Sequence, residues 1–199
     1  MSLIESRMPA EPISLFRRWY RQAERAGVPQ PDAMTLATAG PGCTPSARMV
    51  LFKGIEGGDF LFYSNYESRK GRDLAVNRKA ALVFYWSVTR HQVRVSGAVR
   101  RVSRAASLDY FHSRPRGAQL SALASRQSRV VPSRTVLEQA VADLDKRYPN
   151  AVPIPPDWGG YALRPVWIEF WENRADRLHD RLLYVRLPGG VWRSERLAP

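Results

Sequence analysis

The stretch AALVFYWS (80–87), followed after three residues by HQVRVSGAVRRV (91–102), decides how the rest of the chain is read. Both runs are rich in β-branched and aromatic residues, the side chains that suit a pleated, half-buried surface. The same character marks AMTLATA (33–39), SARMVLFKGI (46–55) and DFLFYSN (59–65), with short turns between them. Five strands in succession predict an antiparallel meander or barrel. Ahead of them, PISLFRRWYRQAERA (12–26) places Ile13, Phe16, Tyr20 and Ala23 near helical spacing, which predicts an amphipathic helix that packs on the strands. After them, residues 103–114, 117–126 and 133–147 read as helices, the last with Leu137, Val141 and Leu144 on one stripe. Strand character returns in GGYALRPVWIEFWEN (159–173), RLLYVRL (181–187) and GVWRSERL (190–197). The order α, β-rich, α, β predicts a mainly β α+β barrel with flanking helices rather than a doubly wound sheet.

Length and charge set the next bounds. A chain of 199 residues with 44% hydrophobic content suits one globular domain, expected over 9–199 behind a mobile start at 1–8. Gly and Pro mark turns here rather than domain boundaries, and no internal repeat occurs. Lys and Arg outnumber Asp and Glu by 31 to 18, a formal charge of +13, so the surface or a cleft should attract anions. One cysteine, Cys43, leaves no intramolecular disulfide framework and no multi-cysteine metal site, as suits a reducing compartment. No signal-like start and no apolar run approaching the ~18 residues of a membrane span are seen, so a cytoplasmic protein with no membrane partner is expected.

Several reaction classes drop out. There is no GxGxxG between a strand and a helix, no GxxxxGK[ST] and no GxSxG. His91, His112 and His179 lie far apart and form no HxxxH or HExxH spacing, so no metal site is expected. What remains are mixtures of cations, hydroxyls and aromatics. YSNYESRKGRD (63–73) carries Ser64, Ser68, Arg69 and Lys70 where a strand meets a helix, a chemistry suited to a phosphate monoester, or equally to a capped helix with solvated charges. RMVLFK (48–53) puts Arg48 and Lys53 at the ends of an apolar strand, where regular alternation sends them to opposite faces unless the strand is bulged. YFHSRPRGAQ (110–119) gathers Tyr110, His112, Ser113, Arg114 and Arg116 around Pro115. RLHDR (177–181) packs two arginines, a histidine and an aspartate into five positions, and strand alternation would give Arg177, His179 and Arg181 one face and Asp180 the other.

In order, RMVLFK, FYSNYESRKG, HQVRVSG, YFHSRPRG, SRQS, WGGY, IEFW, RLHDR and the terminal RLAP resemble the motifs of the pyridoxamine 5′-phosphate oxidase family from about residue 33 to the last. One motif is weak evidence, but nine in register are specific. The resemblance implies an FMN-binding split β-barrel that forms a homodimer, with FMN in two clefts between subunits. The family's flavin contacts fall on Arg48, Met49, Val50, Leu51, Phe52, Lys53, Tyr63, Ser64, Arg69, Lys70 and Gln92, with Gln127, Ser128, Trp171 and Arg181 added by the partner. Substrate phosphate contacts fall on Lys53, Tyr110 and Arg114, and Arg177 and His179 fall against the substrate ring as the catalytic pair.

The reaction so implied is oxidation of pyridoxine or pyridoxamine 5′-phosphate at its 4′ carbon, by hydride transfer to the flavin and reoxidation by O2 to H2O2. Two departures bear on the substrate. Ala118 stands where the family usually has a phosphate-binding serine, and Leu123 where a tryptophan is common. Both changes are similar to the phenazine-biosynthesis branch of the family, whose members oxidise a reduced tricyclic intermediate with FMN, and this is the alternative substrate class. A module of another class, binding flavin or nucleic acid without catalysis, fits the +13 charge and six tryptophans. The dispersed basic residues and the lack of a nucleic-acid motif argue against a nucleic-acid partner.

Overall fold

The computed structural model of the chain describes residue 3 and residues 8–199, so most of the expected mobile start lies outside the described residues. Within them Leu3 is buried in the main core. Helix α1 (Pro12–Arg25) starts at Glu11, whose carboxylate accepts from the Ser14 N–H, and it buries Ile13, Leu15, Phe16, Trp19 and Ala23. The predicted strands follow as β1 (Ala33–Ala39), β2 (Pro45–Leu51), β3 (Ile55–Glu56) and β4 (Asp59–Asn65). The run 46–55 is therefore not one strand. It breaks at residues 52–54, where Gly54 takes a φ of 110° that a side chain would resist.

Helix α2 (Arg69–Val76) leads to β5 (Lys79–Trp86) and β6 (His91–Arg101), then to α3 (Arg104–Ser113), α4 (Arg116–Ala124) and α5 (Arg134–Arg147). The chain ends in β7 (Trp158–Glu172), β8 (Asp180–Arg186) and β9 (Trp192–Arg196). Among the described residues the nine strands form one antiparallel sheet of order β2-β1-β5-β6-β7-β4-β3, with β8 and β9 continuing from β7. The simple meander is thus corrected: β4 pairs with β7 and not with β5, so the last third of the chain completes the barrel begun by the first. The sheet's two ends approach where β2 touches β4 without pairing, which leaves the barrel split.

Inward residues alternate with outward ones along β1, β5 and β6, and the enclosed core is aromatic. Phe16 of α1 plugs it, with ring centroids 5.4, 4.9 and 5.0 Å from Phe52, Phe60 and Phe84. Where β6 meets β7 the register slips between Ser96 and Gly97. A Cβ on Gly97 would stand 1.9 Å from the Arg164 carbonyl oxygen, so only glycine fits this bulge. A smaller core of Phe111, Leu120, Val152 and Trp158, backed by Val141 and Leu144 of α5, fixes the helical layer beside the mouth of the barrel. Among the described residues no helix is long and apolar enough to cross a membrane.

Candidate active site

A cavity of about 470 Å³ opens where β2, the β4–α2 junction and the α3–α4 layer meet. The edge strand β2 forms one wall with Arg48, Met49, Val50 and Leu51. Arg48 is held from beneath: it donates to the Leu36 carbonyl at 3.2 Å, to Thr38 Oγ1 at 2.7 Å and to Ser46 Oγ at 2.6 Å, and it lies 3.6 Å from Asp73. Asp73 in turn accepts a 2.6 Å bond from Thr38. Burial lowers the Arg48 pKa, Asp73 opposes the shift and neighbouring Arg69 adds to it. The strand break resolves the alternation problem, because Lys53 comes round to the same cavity as Arg48, paired with Asp32 at 2.9 Å. Phe52 does not follow. Its side chain packs on Phe16 and Phe84 in the core, its backbone N–H is taken by the Asp32 carbonyl, and it does not line the cavity.

The second wall is the start of α2, where Ser68 caps the helix by accepting from the Gly71 N–H. Lys70 points inward and is buried. Its ammonium donates to Gln127 Oε1 at 2.9 Å, Ser64 Oγ at 3.1 Å and Ser68 Oγ at 3.3 Å, all neutral acceptors. Burial, and then the charge of Arg48, pull its pKa from 10.5 down to about 8. The Arg69 side chain is exposed at the rim, while its backbone N–H donates to Ser128 Oγ at 3.2 Å. Gln127 and Ser128, expected from a partner subunit, are thereby placed against this chain's own α2.

The third wall is aromatic. Tyr63 and Tyr110 stack with centroids 3.8 Å apart, and Trp158 lies parallel to Tyr110 at 6.3 Å. Gly160 permits this, since a Cβ there would meet the Tyr63 ring at 2.7 Å. Burial, then Tyr110, raise the Tyr63 pKa. The Arg114 guanidinium sits 4.9 Å over the Trp158 ring, and its buried Nη1 has no hydrogen-bond partner. Burial lowers its pKa, with Tyr110 opposing. Asn65, Ser121, Ala122, Ser125 and Trp158 also line the cavity and were not singled out from sequence. Of these, Asn65, Ser125 and Trp158 fall within the FYSNYESRKG, SRQS and WGGY motifs, whereas Ser121 and Ala122 lie in none of the motifs quoted. Ala118 does not line the cavity, whereas Ser121, one helical turn later on α4, does.

The remaining predicted residues form a second group on the outer face of the sheet. Gln92, Trp171 and Arg181 sit opposite one another across β6, β7 and β8. Gln92 therefore stands in this row and does not line the cavity. Arg181 is bound to Glu169 at 2.8 Å, and Glu169 also holds Arg94 at 3.0 Å. The His179 ring lies 4.7 Å from Trp171, and its Nδ1 accepts from the Arg174 backbone N–H at 3.2 Å. Arg177 ends a tight turn in which Asp176 and Arg177 have φ of 54° and 60°. Arg177 and His179 precede β8, so strand alternation does not place them. Asp180 holds Arg174 at 2.7 Å and Arg196 at 2.6 Å.

The cavity has the size of a cofactor or substrate pocket, roughly 300–1,000 Å³. Its donors outnumber its acceptors, with Lys70 lacking a carboxylate partner among the described residues and Arg114 keeping a free buried N–H. The hydroxyls and cations of Arg48, Ser64 and Lys70 fit a phosphate, and the apolar Met49–Leu51 edge fits a flat ring, so the residues present suit FMN. Among the described residues no group of three His, Cys, Asp or Glu could hold a metal ion.

Comparison with known proteins agrees with this geometry. Residues 20–148 match the model of the pyridoxamine 5′-phosphate oxidase family, and residues 158–199 match the pyridoxine 5′-phosphate oxidase C-terminal dimerisation region. A pyridoxine/pyridoxamine 5′-phosphate oxidase of Salinibacter ruber is 53% identical over 192 residues, covering 95% of this chain and 89% of its own. One from Acaryochloris marina is 50% identical over 199 residues, covering 100% of this chain and 90% of its own. Among solved structures, PhzG from Burkholderia lata 383 in complex with tetrahydrophenazine-1-carboxylic acid superposes with a TM-score of 0.93 at 34% identity, covering 100% of this chain and 98% of its own.

Proposed function

The chain belongs to the pyridoxamine 5′-phosphate oxidase family, and from that premise we propose that it is an FMN-dependent oxidase of pyridoxine and pyridoxamine 5′-phosphates, yielding pyridoxal 5′-phosphate with O2 as acceptor. The observation that carries this reading is that one cavity holds two cationic groups, Arg48 with Lys70 and Arg114 with Tyr110, enough for two phosphate-bearing molecules at once. FMN held there by Arg48, Ser64 and Lys70 would supply the two-electron acceptor for oxidation at the substrate's 4′ carbon, with O2 as the final acceptor and H2O2 as its product.

The rest is positioning, in which holding the reacting atoms at near-attack distance supplies most of the rate. Arg48, Lys70 and Ser64 hold the flavin phosphate, and Asp73 and Thr38 keep the Arg48 fork aimed. Tyr110, Arg114 and Lys53 hold the substrate phosphate, with Arg114 fixed by the face of Trp158. The stacked Tyr63 and Tyr110 exclude water from the wall they form. Gln92, Trp171 and Arg181 lie on the outer sheet face beside half-exposed Trp167, Leu183 and Val185, with the His179 ring against Trp171 and Arg177 in the turn just before β8. In a homodimer packed through that face, Arg177 and His179 of the partner subunit close over the cavity, fix the substrate ring and complete the site. A phosphorylated substrate and one exposed cysteine suit a cytoplasmic enzyme.

Oxidation of a reduced tricyclic phenazine precursor is the second reading, supported by the 34% identical fold neighbour. The relatives near 50% identity and the free cation of Arg114 favour the phosphorylated substrate. Anaerobic titration of the FMN-loaded protein tests this. Bleaching of the oxidised flavin band by pyridoxine or pyridoxamine 5′-phosphate, reversed by air with release of pyridoxal 5′-phosphate, is the expected result. A flavin that these compounds leave oxidised, while a chemical reductant bleaches it, would pass the assignment to the phenazine branch.

A further inference from the structure

A second cavity, of about 350 Å³, lies between the C-terminal end of α2 and the end of β6, and it shares no lining residue with the first. Its apolar wall is Leu74 and Val99, and the polar side chains lining it are Arg78, Arg100, Arg101 and Tyr161. Three arginines therefore line one space, and among the described residues no carboxylate lines it. Arg100 is largely satisfied by Asp59, which accepts from it at 2.9 and 3.2 Å and also draws Arg164 to 3.5 Å. Arg101 lies flat over the Tyr66 ring at 4.0 Å, an arrangement that leaves the edge of its fork free to donate. Neither Arg78 nor Arg101 has a carboxylate ion pair among the described residues.

Tyr161 supplies an independent sign of what is missing. The residue is only 3% exposed and stacked on Phe62 at 5.2 Å, and its buried hydroxyl, with the Arg101 guanidinium as a neighbouring donor, has no acceptor for its proton among the described residues. Burial pushes the phenol up to about 12, against the opposing pull of Arg101, so the group is an O–H donor at any physiological pH. A buried hydroxyl whose proton has no acceptor costs stability unless something that visits the site accepts from it. Every polar side chain around the cavity is a donor or a cation, so the absent partner is an acceptor carrying negative charge. Donors arriving from β6, from β7 and from the end of α2 suit a tetrahedral oxyanion better than a planar carboxylate, which one guanidinium fork can satisfy alone.

We propose that this cavity is a second anion site, which binds a small phosphate-bearing molecule through Arg78, Arg101 and the Tyr161 hydroxyl. The site stands apart from the proposed oxidase reaction, and its test does not depend on turnover. The FMN-saturated protein, with Arg114→Gln disabling the substrate phosphate group of the first cavity, is titrated calorimetrically with inorganic phosphate and with phenyl phosphate. One saturable binding event per chain is expected, weakened about tenfold by Tyr161→Phe and by Arg101→Gln. Tighter binding of phenyl phosphate would assign the site to a phosphate monoester whose body rests on Leu74 and Val99; equal affinity would assign it to free phosphate. Failure of the Arg114→Gln protein to bind either probe would overturn the proposal, as would affinities unchanged in both Tyr161→Phe and Arg101→Gln. Tyr161→Phe keeps the buried ring, so a folded variant is available even where loss of an arginine disturbs the barrel end.

Discussion

Lys70 is a buried cation whose three acceptors are all neutral, and it gives the most demanding prediction. Its pKa is about 8 in the fold and takes the ordinary value of 10.5 in the unfolded chain. Between those values the unfolded state holds a proton that the folded state has lost, so stability rises with pH across the window. Below pH 8 both states are protonated and the dependence vanishes. The gap between 10.5 and about 8 is worth about 3 kcal/mol at ~1.4 kcal/mol per pH unit. Lys70→Met removes this titration, so the difference between the two proteins isolates it. The stability of flavin-free wild type minus that of Lys70→Met, from urea unfolding at steps between pH 7 and 10.5, should be flat to pH 8. It should then climb by about 3 kcal/mol in favour of the wild type. FMN reverses the sense: a bound phosphate holds the ammonium charged, so wild-type affinity should fall up to tenfold per pH unit above 8, and the variant's should not. A stability difference that stays level through pH 10.5 would refute the account of Lys70 as a desolvated amine awaiting an anion.

Arg114→Gln should raise KM for the phosphorylated substrate roughly 10- to 100-fold with little change in FMN affinity, because it removes a free buried donor outside the Arg48 group; steady-state kinetics beside a flavin titration check this. Arg177→Ala should lower kcat roughly 100-fold and leave FMN bound, since Arg177 does not line this chain's cavity; wild-type turnover would remove it from the mechanism. Gly97→Ala should destabilise the fold by roughly 1–3 kcal/mol or more, because its methyl would run into the Arg164 carbonyl, and a lower urea midpoint at unchanged slope is the signature. Phe16→Ala should cost about 3–5 kcal/mol by emptying the centre of the barrel, read in the same assay.

Local order was legible where one physical signal dominated. The run of β-branched and aromatic residues over 79–101 forms two long strands within a residue or so of their expected ends, and Ile13, Phe16 and Ala23 do bury one face of α1. Long-range pairing was not legible, because nothing in DFLFYSN says that its partner is β7, almost 100 residues later, rather than the next strand. Alternation does not give Arg177, His179 and Arg181 their expected shared strand face, for a local reason: β8 begins only at Asp180, and Asp176 and Arg177 before it take positive φ, a conformation that no glycine or asparagine announces there. The different environments of Phe52 and Lys53 were not legible either, because the chain turns at residues 52–54, sending the Phe52 ring to the core while Lys53 joins Arg48. Gln127 and Ser128 lie more than 50 residues from Lys70 and Arg69, and only the fold shows them on this chain's own cavity.

The net charge of +13 takes on a different meaning once its location is known. Carboxylates in this protein are shared: Asp59 holds Arg100 and Arg164, Glu169 holds Arg94 and Arg181, and Asp180 holds Arg174 and Arg196. Asp73 and Asp32 each steady one cation of the first cavity, Arg48 and Lys53. Such pairs fix geometry more than they add stability. The cations left without a carboxylate include Lys70 and Arg114 in one cavity and Arg78 and Arg101 at the other. A fold selected for stability alone would not bury Lys70 among neutral hydroxyls or leave the Nη1 of Arg114 and the hydroxyl of Tyr161 without an acceptor, since each is costly until an acceptor arrives. Part of the surplus charge is therefore localised chemistry: these few cations stand where anions would be held, and the cost of keeping them there unpaired favours binding of an anion.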